Sequence, residues 1–317
     1  MKVNERIFPS DEQYRVEASQ QRFDAWWGFA DEQRLHETEF LLPTATVESD
    51  FRGFTFELTA SIAKSEEELA RGIAEVGPWA YQLEFPKRTA STLGFRDPRD
   101  WRFHRYRGSV LVRTLVSVLG EACAELSFLD VGCHCGVFAL EAAYLGFGRV
   151  RGIDLREQNV RQARWLAETY GISNVTFETV NVRALSRVEP ADVTLCGGLM
   201  YHVTFPVELM RDLFGSCREF LVLDSAAAKD PVSTFFLVMH KNTTYSAEGE
   251  SSYEFQPTYR AVVDLLMSVG FEYVMEIVGT RGGEVWGYQE GITRTFIAFK
   301  PGSRFTERFK EALGVTG

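Results

Sequence analysis

The chain of 317 residues is poor in cysteine, histidine and basic charge, and it lacks any long hydrophobic run. Its five cysteines, Cys123, Cys133, Cys135, Cys196 and Cys217, are an odd and scattered set. That excludes a disulfide scaffold and fits free thiols in a reducing cytoplasm. Only Cys133-His134-Cys135 is closely spaced, and it has no second ligand pair, so no metal is expected. No apolar stretch approaches the roughly 20 residues of a membrane-spanning helix. Met1-Lys2-Val3-Asn4-Glu5-Arg6 does not read as a secretory leader. The expectation is a cytoplasmic protein with no membrane role. Lys and Arg number 34 against 44 Asp and Glu, giving a net charge of −10, which disfavours a broad nucleic-acid footprint. No repeat or low-complexity linker is evident.

Hydrophobic residues make up 45% of the chain, enough for a substantial core. The 25 Phe and six Trp exceed what a core of this size needs, and suit an aromatic-walled pocket for a small organic molecule. The organising stretch runs from Leu126 to Gly136. An apolar run ends in Asp130, a glycine turn follows (Gly132, Gly136), and an Ala/Leu-rich helix spans about 137–147. This is the pattern of a buried parallel strand, a turn that lets backbone approach a ligand, and a helix start facing that ligand. A second strand, Val150 to Asp154, also ends in an acid, the residue type that grips ribose hydroxyls at such a strand end.

The alternation continues downstream. Strands are expected at about 126–131, 149–154, 174–180, 192–196, 219–224, 271–278 and 293–300. Helices are expected at about 110–124, 137–147, 157–170, 206–213 and 257–270, the last with Pro in and Gly out. Such alternation means an α/β fold with a parallel sheet and helices on both faces, and places ligands at the carboxyl ends of the strands. Residues 225–257 break the spacing and read as a lid or binding wall. Residues 1–100 read as an N-terminal α/β cap, apart from the main domain at 101–317. The cap has a helix at Asp11–Phe29, a partly alternating stretch at Asp50–Ile62, and a helix opened by Ser65 with Glu68 as a capping box. It is also the surface through which a homo-oligomer would form.

Asp130-x-Gly132-x-His134-x-Gly136 with Asp154 resembles the binding signature of class I S-adenosylmethionine-dependent methyltransferases, usually D/E-x-G-x-G-x-G. His134 departs from it at the middle glycine. A nicotinamide site would need glycine at 134 and 137, where the chain has His134 and Val137. The resemblance implies a Rossmann-like seven-stranded methyltransferase sheet with helices on both faces, its last two strands antiparallel. It also implies S-adenosyl-L-methionine as cofactor. Asp130 would then meet the ammonium of the methionine tail, while Gly132, His134 and Gly136 would line the methionine and ribose. Asp154 would hold the ribose, Leu155 and Arg156 would flank the adenine, and Asn181 with Val182 would face the adenine amine. The Arg- and aromatic-rich stretch Asp100 to Arg107 supplies Arg105 or a neighbour as a partner for the cofactor carboxylate, since guanidinium and carboxylate match as a fork.

Cys196-Gly197-Gly198-Leu199-Met200-Tyr201-His202 resembles a narrower turn, G-V-L-Y-H. It is found in the tRNA wobble-uridine carboxymethyltransferase-like enzymes and the small-molecule methyltransferases akin to them. Gly77-Pro78-Trp79, Trp101-Arg102 and Tyr253-Glu254-Phe255-Gln256-Pro257 fit the same subgroup. In the carboxymethyl enzymes the Tyr of the turn and two cations hold an extra carboxylate. Tyr201 and Arg105 match, but Trp79, Ala80 and Tyr81 stand where the second cation is needed. Methyl transfer to a small-molecule acceptor is therefore the first reading, and a tRNA-modifying carboxymethyltransferase the alternative. Gly197 and Tyr201 belong to the cofactor wall in this reading. His202, with Tyr201 beside it, is the candidate catalytic base. His240, Glu284 and Tyr288 rank below it. A cofactor-binding protein without catalysis is the third reading.

Overall fold

The computed structural model describes residues 42–47, 62–79, 81, 83–85, 88–90, 107–229, 232–239, 253–279 and 293–315. Its strands are β1 (Thr44–Val47), β2 (Leu83–Phe85), β3 (Arg88–Ala90), β4 (Ser127–Val131), β5 (Arg149–Asp154), β6 (Val175–Thr179), β7 (Ala191–Gly197), β8 (Cys217–Ala226), β9 (Phe235–Met239), β10 (Tyr253–Pro257), β11 (Tyr273–Gly279) and β12 (Thr293–Phe299). Its helices are α1 (Glu66–Glu75), α2 (Thr114–Leu119), α3 (Val137–Tyr144), α4 (Glu157–Tyr170), α5 (Pro206–Ser216), α6 (Tyr259–Ser268) and α7 (Thr306–Ala312).

One sheet carries eight strands in the order β1-β11-β12-β8-β7-β4-β5-β6. Only β12 runs against its neighbours, pairing antiparallel with β8 and β11. The seven strands expected from the sequence are all present. The eighth is β1, which adds parallel to β11 at the sheet edge, with Ala45 buried between exposed Thr44 and Thr46. Strand order reverses between β4 and β7, the crevice where an open α/β sheet binds ligands.

Alternation on the central strands splits the core into two layers. Phe128, Val193, Leu195, Phe220 and Val222 face one layer, packed with Leu115, Leu140, Leu166 and Phe309 of α2, α3, α4 and α7. Leu129, Val131, Leu221 and Leu223 face the other, with Leu209 and Leu213 of α5 and Val262 and Leu266 of α6. Buried on both faces, β4 has no exposed residue.

Residues 65–78 are pinned to this body. Ser65 and Glu68 close the expected capping box on α1. A Cβ on Gly72 would lie 2.5 Å from the Trp165 indole, so α1 meets α4 with nothing between them. Gln158 Nε2 donates to the carbonyls of Val76 and Gly77, and Gln162 Nε2 to those of Val76 and Pro78. The turn at 76–78 therefore rests on the same helix whose start follows Asp154. The stretch Asp11–Phe29, and all of Asp50–Ile62 but Ile62, lie outside the described residues.

Candidate active site

The turn after β4 is built on left-handed backbone. Gly132, His134 and Gly136 have φ of 74°, 51° and 79°. The amides of Gly132 and Cys133 both donate to the Ile153 carbonyl at 2.9 Å, which ties the turn to β5. A Cβ on Gly132 would sit 3.0 Å from Leu199, and one on Gly136 would sit 2.6 Å from the Phe177 ring. Both glycines are therefore required by space as well as by φ. His134 keeps the same backbone hand without being glycine, a conformation in which histidine is enriched among side-chain-bearing residues. Its Nδ1 accepts the Cys135 N–H at 2.8 Å, and its ring lies 4.9 Å from that of Tyr81. Burial lowers the His134 pKa to about 4, against the pull of Asp154, so the imidazole is neutral at neutral pH. The departure from the glycine signature therefore leaves the turn intact.

Two carboxylates flank this turn. Asp154 Oδ2 accepts the His134 N–H at 2.9 Å. Its Oδ1 accepts the Arg156 N–H at 2.9 Å and the Asn159 side-chain amide at 3.0 Å. An ionised carboxylate has about four acceptor sites, so these three bonds leave room for a further donor. Asp130 is different. It is 1% exposed, and its Oδ2 is buried with no hydrogen-bond partner among the described residues. Burial raises its pKa to about 7, with a further upward push from the Asp154 charge and opposition from the Ala139 amide and Arg107. A buried carboxylate oxygen in this condition is suited to an ammonium group.

The next strand end supplies a second wall. Arg107 Nη2 lies 2.7 Å from Asp224 Oδ1, with both side chains almost wholly buried, and Asp224 Oδ2 accepts from Thr295 Oγ1 at 2.8 Å. A Cβ on Gly198 would lie 2.8 Å from Arg107 Nη2 and 3.4 Å from the Tyr201 hydroxyl; one on Gly197 would lie 3.2 Å from Arg107 Nη2. The Gly-Gly turn after β7 is thus where the guanidinium sits. Burial raises the Tyr201 phenol to about 12, partly offset by Arg107, and pushes the Tyr81 phenol upward as well.

His202 follows in the short 3₁₀ turn Met200–His202, its ring 4.2 Å from that of Tyr201. Its Nδ1 lies 3.0 Å from Glu254 Oε1, and Gln256 Nε2 donates to Glu254 Oε2 at 2.8 Å. Glu254 and Gln256 belong to β10, which pairs antiparallel with β9. Within the insertion at 225–257, the antiparallel pair β9 and β10 thus lies beside the turn that bears His202.

The structure brings Asp130, Gly132, His134, Gly136, Asp154 and Arg156 together at the ends of β4 and β5. Gly197, Tyr201 and His202 lie on the adjoining turn, joined to the first through Leu199 against Gly132. Asn181 caps a 3₁₀ turn with its side-chain oxygen on the Arg183 N–H at 2.9 Å, while Val182 is buried beneath. Leu155 is 41% exposed beside Asp154. Arg105, His240, Glu284 and Tyr288 lie outside the described residues. Three contributors were missed in the sequence: Tyr81, Arg107 and Glu254. Arg107 carried a signal, since it closes the Arg-rich cluster in which Arg105 was singled out.

A family model described as a methyltransferase domain matches residues 124–252. The chain is 32% identical over 114 residues to a ubiquinone biosynthesis O-methyltransferase of Neisseria meningitidis serogroup C, covering 35% of this chain and 48% of that protein. It is 28% identical over 209 residues to mouse tRNA (uracil-5-)-methyltransferase homolog B, covering 59% of this chain and 42% of that protein. The chain therefore spans about half the length of the curated relatives it matches. Among solved structures, the N-terminal domain of EvdMO1, crystallised in the presence of SAH and D-fucose, superposes with a TM-score of 0.58 at 20% identity, over 75% of this chain and 98% of that one. That likeness is one of fold.

Proposed function

We propose that this chain, whose residues 124–252 match a methyltransferase-domain family model, is an S-adenosylmethionine-dependent methyltransferase acting on a small-molecule acceptor. The observation that carries the reading is the buried Asp130 oxygen without a partner, set beside a left-handed turn that brings backbone close to a ligand. These residues fit the cofactor. Asp130 holds its ammonium group, Asp154 a ribose hydroxyl, and Gly132 to Gly136 its methionine and ribose parts. Leu155 and Arg156 flank the adenine, with Asn181 and Val182 at its amine edge. When bound, the cofactor supplies a methyl group already activated by positive sulfur.

The protein's share is alignment, exclusion of water and handling of one proton. Tyr201 and Arg107 wall the transfer site at Gly197 and Gly198. His202 takes the acceptor proton, and the β9–β10 hairpin covers the site. Residues 1–100 act as its cap, with Tyr81 packed on His134. The name of the Neisseria relative supports a small-molecule acceptor. The name of the mouse relative raises an RNA acceptor, against which the net charge of −10 argues.

Calorimetry with S-adenosylhomocysteine tests the cofactor assignment. Binding is expected, weakened at least about tenfold by Asp130→Asn. Absence of binding to the purified chain would overturn the reading, and retention of tRNA at moderate salt would overturn the acceptor class.

A further inference from the structure

We propose that Glu254 is a positioning residue that fixes the ring of His202 with its proton on Nδ1, leaving Nε2 to take the proton of an acceptor hydroxyl. The proposal rests on the methyltransferase reading above and adds the chemical class of the acceptor. Glu254 Oε1 lies 3.0 Å from His202 Nδ1, within reach of a proton on that nitrogen, and Oε2 accepts from Gln256 Nε2 at 2.8 Å. It is 8% exposed, on a strand whose pairing with β9 sets its direction. A carboxylate accepts from Nδ1 only when Nδ1 bears hydrogen, so a neutral His202 carries its lone pair on Nε2. His134 is held the opposite way. Its Nδ1 accepts a backbone N–H, which puts its own proton on Nε2.

A base is required where the acceptor atom arrives protonated and weakly nucleophilic. A carboxylate acceptor would need none, whereas a hydroxyl does. As the hydroxyl oxygen bonds to the methyl carbon, the carbon–sulfur bond breaks with its electron pair going to sulfur. The positive sulfonium becomes a neutral thioether, and the hydroxyl proton passes to His202 Nε2 and from there to water. Glu254 stabilises the imidazolium formed in that step.

The test uses the full chain labelled with ¹⁵N-histidine and saturated with S-adenosylhomocysteine. Long-range proton–nitrogen spectra are recorded near pH 8, where a free imidazole is about neutral. His202→Asn assigns the resonance. The expected pattern is protonated Nδ1 and bare Nε2 for His202, with the reverse for His134 in the same spectrum. Glu254→Leu should shift His202 toward the mixture of a free imidazole, and Glu254→Gln, which keeps an acceptor oxygen, should restore the wild-type pattern. Two protonated nitrogens at His202 would mark a structural ion pair and overturn the proposal. So would a proton on Nε2, or a pattern unmoved by Glu254→Leu. In parallel, the product formed from cell extract and methyl-labelled cofactor is characterised by mass spectrometry. An O-methyl ether supports the acceptor class, and a methyl ester or N-methyl product overturns it. If the unmutated chain failed to bind S-adenosylhomocysteine, the methyltransferase reading would fall while the tautomer result stood by itself.

Discussion

His134→Asn separates the shape of the cofactor turn from its titration. Asparagine tolerates left-handed backbone, and its side-chain oxygen can take the Cys135 N–H that His134 Nδ1 accepts at 2.8 Å. The ring packed on Tyr81 is lost. Near pH 8 that should destabilise the chain by about 1–3 kcal/mol, from lost buried area and lost ring contact. In acid the difference should shrink. The His134 pKa is about 4 in the folded chain against an ordinary value of 6.5. Between those values the folded state binds fewer protons than the unfolded one, so stability rises with pH. The contribution is fully present above about 6.5 and is lost as pH falls toward about 4. Each tenfold difference in proton affinity is worth about 1.4 kcal/mol, so wild type should lose about 2 kcal/mol between pH 7 and pH 5 that the variant does not.

Asp130 titrates in the opposite sense. Its pKa of about 7 lies above the ordinary 3.8, so its contribution is present in acid and lost as pH rises through about 7. Both proteins retain Asp130, and its effect cancels in the difference. Urea denaturation of the two chains at about pH 5, 6, 7 and 8 gives the gap directly. The expected outcome is a gap that narrows by about 2 kcal/mol toward pH 5, leaving the variant within about 1 kcal/mol of wild type there. A constant gap, or one that widens in acid, would refute the claim that the site holds a buried neutral imidazole.

Three further outcomes follow from the same geometry. Binding of S-adenosylhomocysteine near pH 6 should release a proton from Asp130, read as a dependence of the calorimetric heat on buffer ionisation enthalpy that Asp130→Asn abolishes. Arg107→Met leaves Asp224 buried and unpaired and should cost about 3–5 kcal/mol in urea denaturation, with Asp224→Asn added on top recovering part of it. Gly136→Ala forces a Cβ to within 2.6 Å of Phe177 at a φ of 79°, and a loss below about 2 kcal/mol in the same assay would count against the tight turn.

The sheet was legible where burial makes its own pattern. β4 is buried throughout, and its apolar run ending in Asp130 reads directly as a strand; β5 carries Arg149 and Arg151, and its acid-ended pattern at Asp154 reads as a second strand beside it. β1 left almost no trace, because a four-residue edge strand with one buried residue cannot form a pattern. The helix expected over 110–124 is broken into a wide π turn at Ser109–Arg113, α2, and a 3₁₀ stretch at Gly120–Glu125. Apolar spacing continues across all three, so periodicity could not separate them. The break is tolerated because Arg308, from α7, donates to the carbonyls of Val118 and Leu119 at 2.7 and 2.8 Å. Pro257 was read as a helix start, yet it ends β10, and Thr258 caps α6 by accepting the Ala261 N–H.

The same division runs through the candidate site. Asp130, Gly132, His134, Gly136 and Asp154 are read from one short stretch and the strand that follows it. Arg107 with Asp224, Tyr81 with His134, and Glu254 with His202 are long-range pairs, and no local spacing announces them. Glu254 shows why. In the sequence it stands in a stretch, Tyr253 to Pro257, that resembles the subgroup, yet nothing there pairs it with His202. Once β10 pairs with β9, alternation puts Glu254 and Gln256 on one face and Tyr253 on the other, where it is 42% exposed. A slip of one residue in that pairing would turn Glu254 to solvent and leave His202 Nδ1 without its carboxylate. The carboxylate that faces His202 is therefore set by the register of β10 against β9, a long-range property that no residue spacing around His202 specifies.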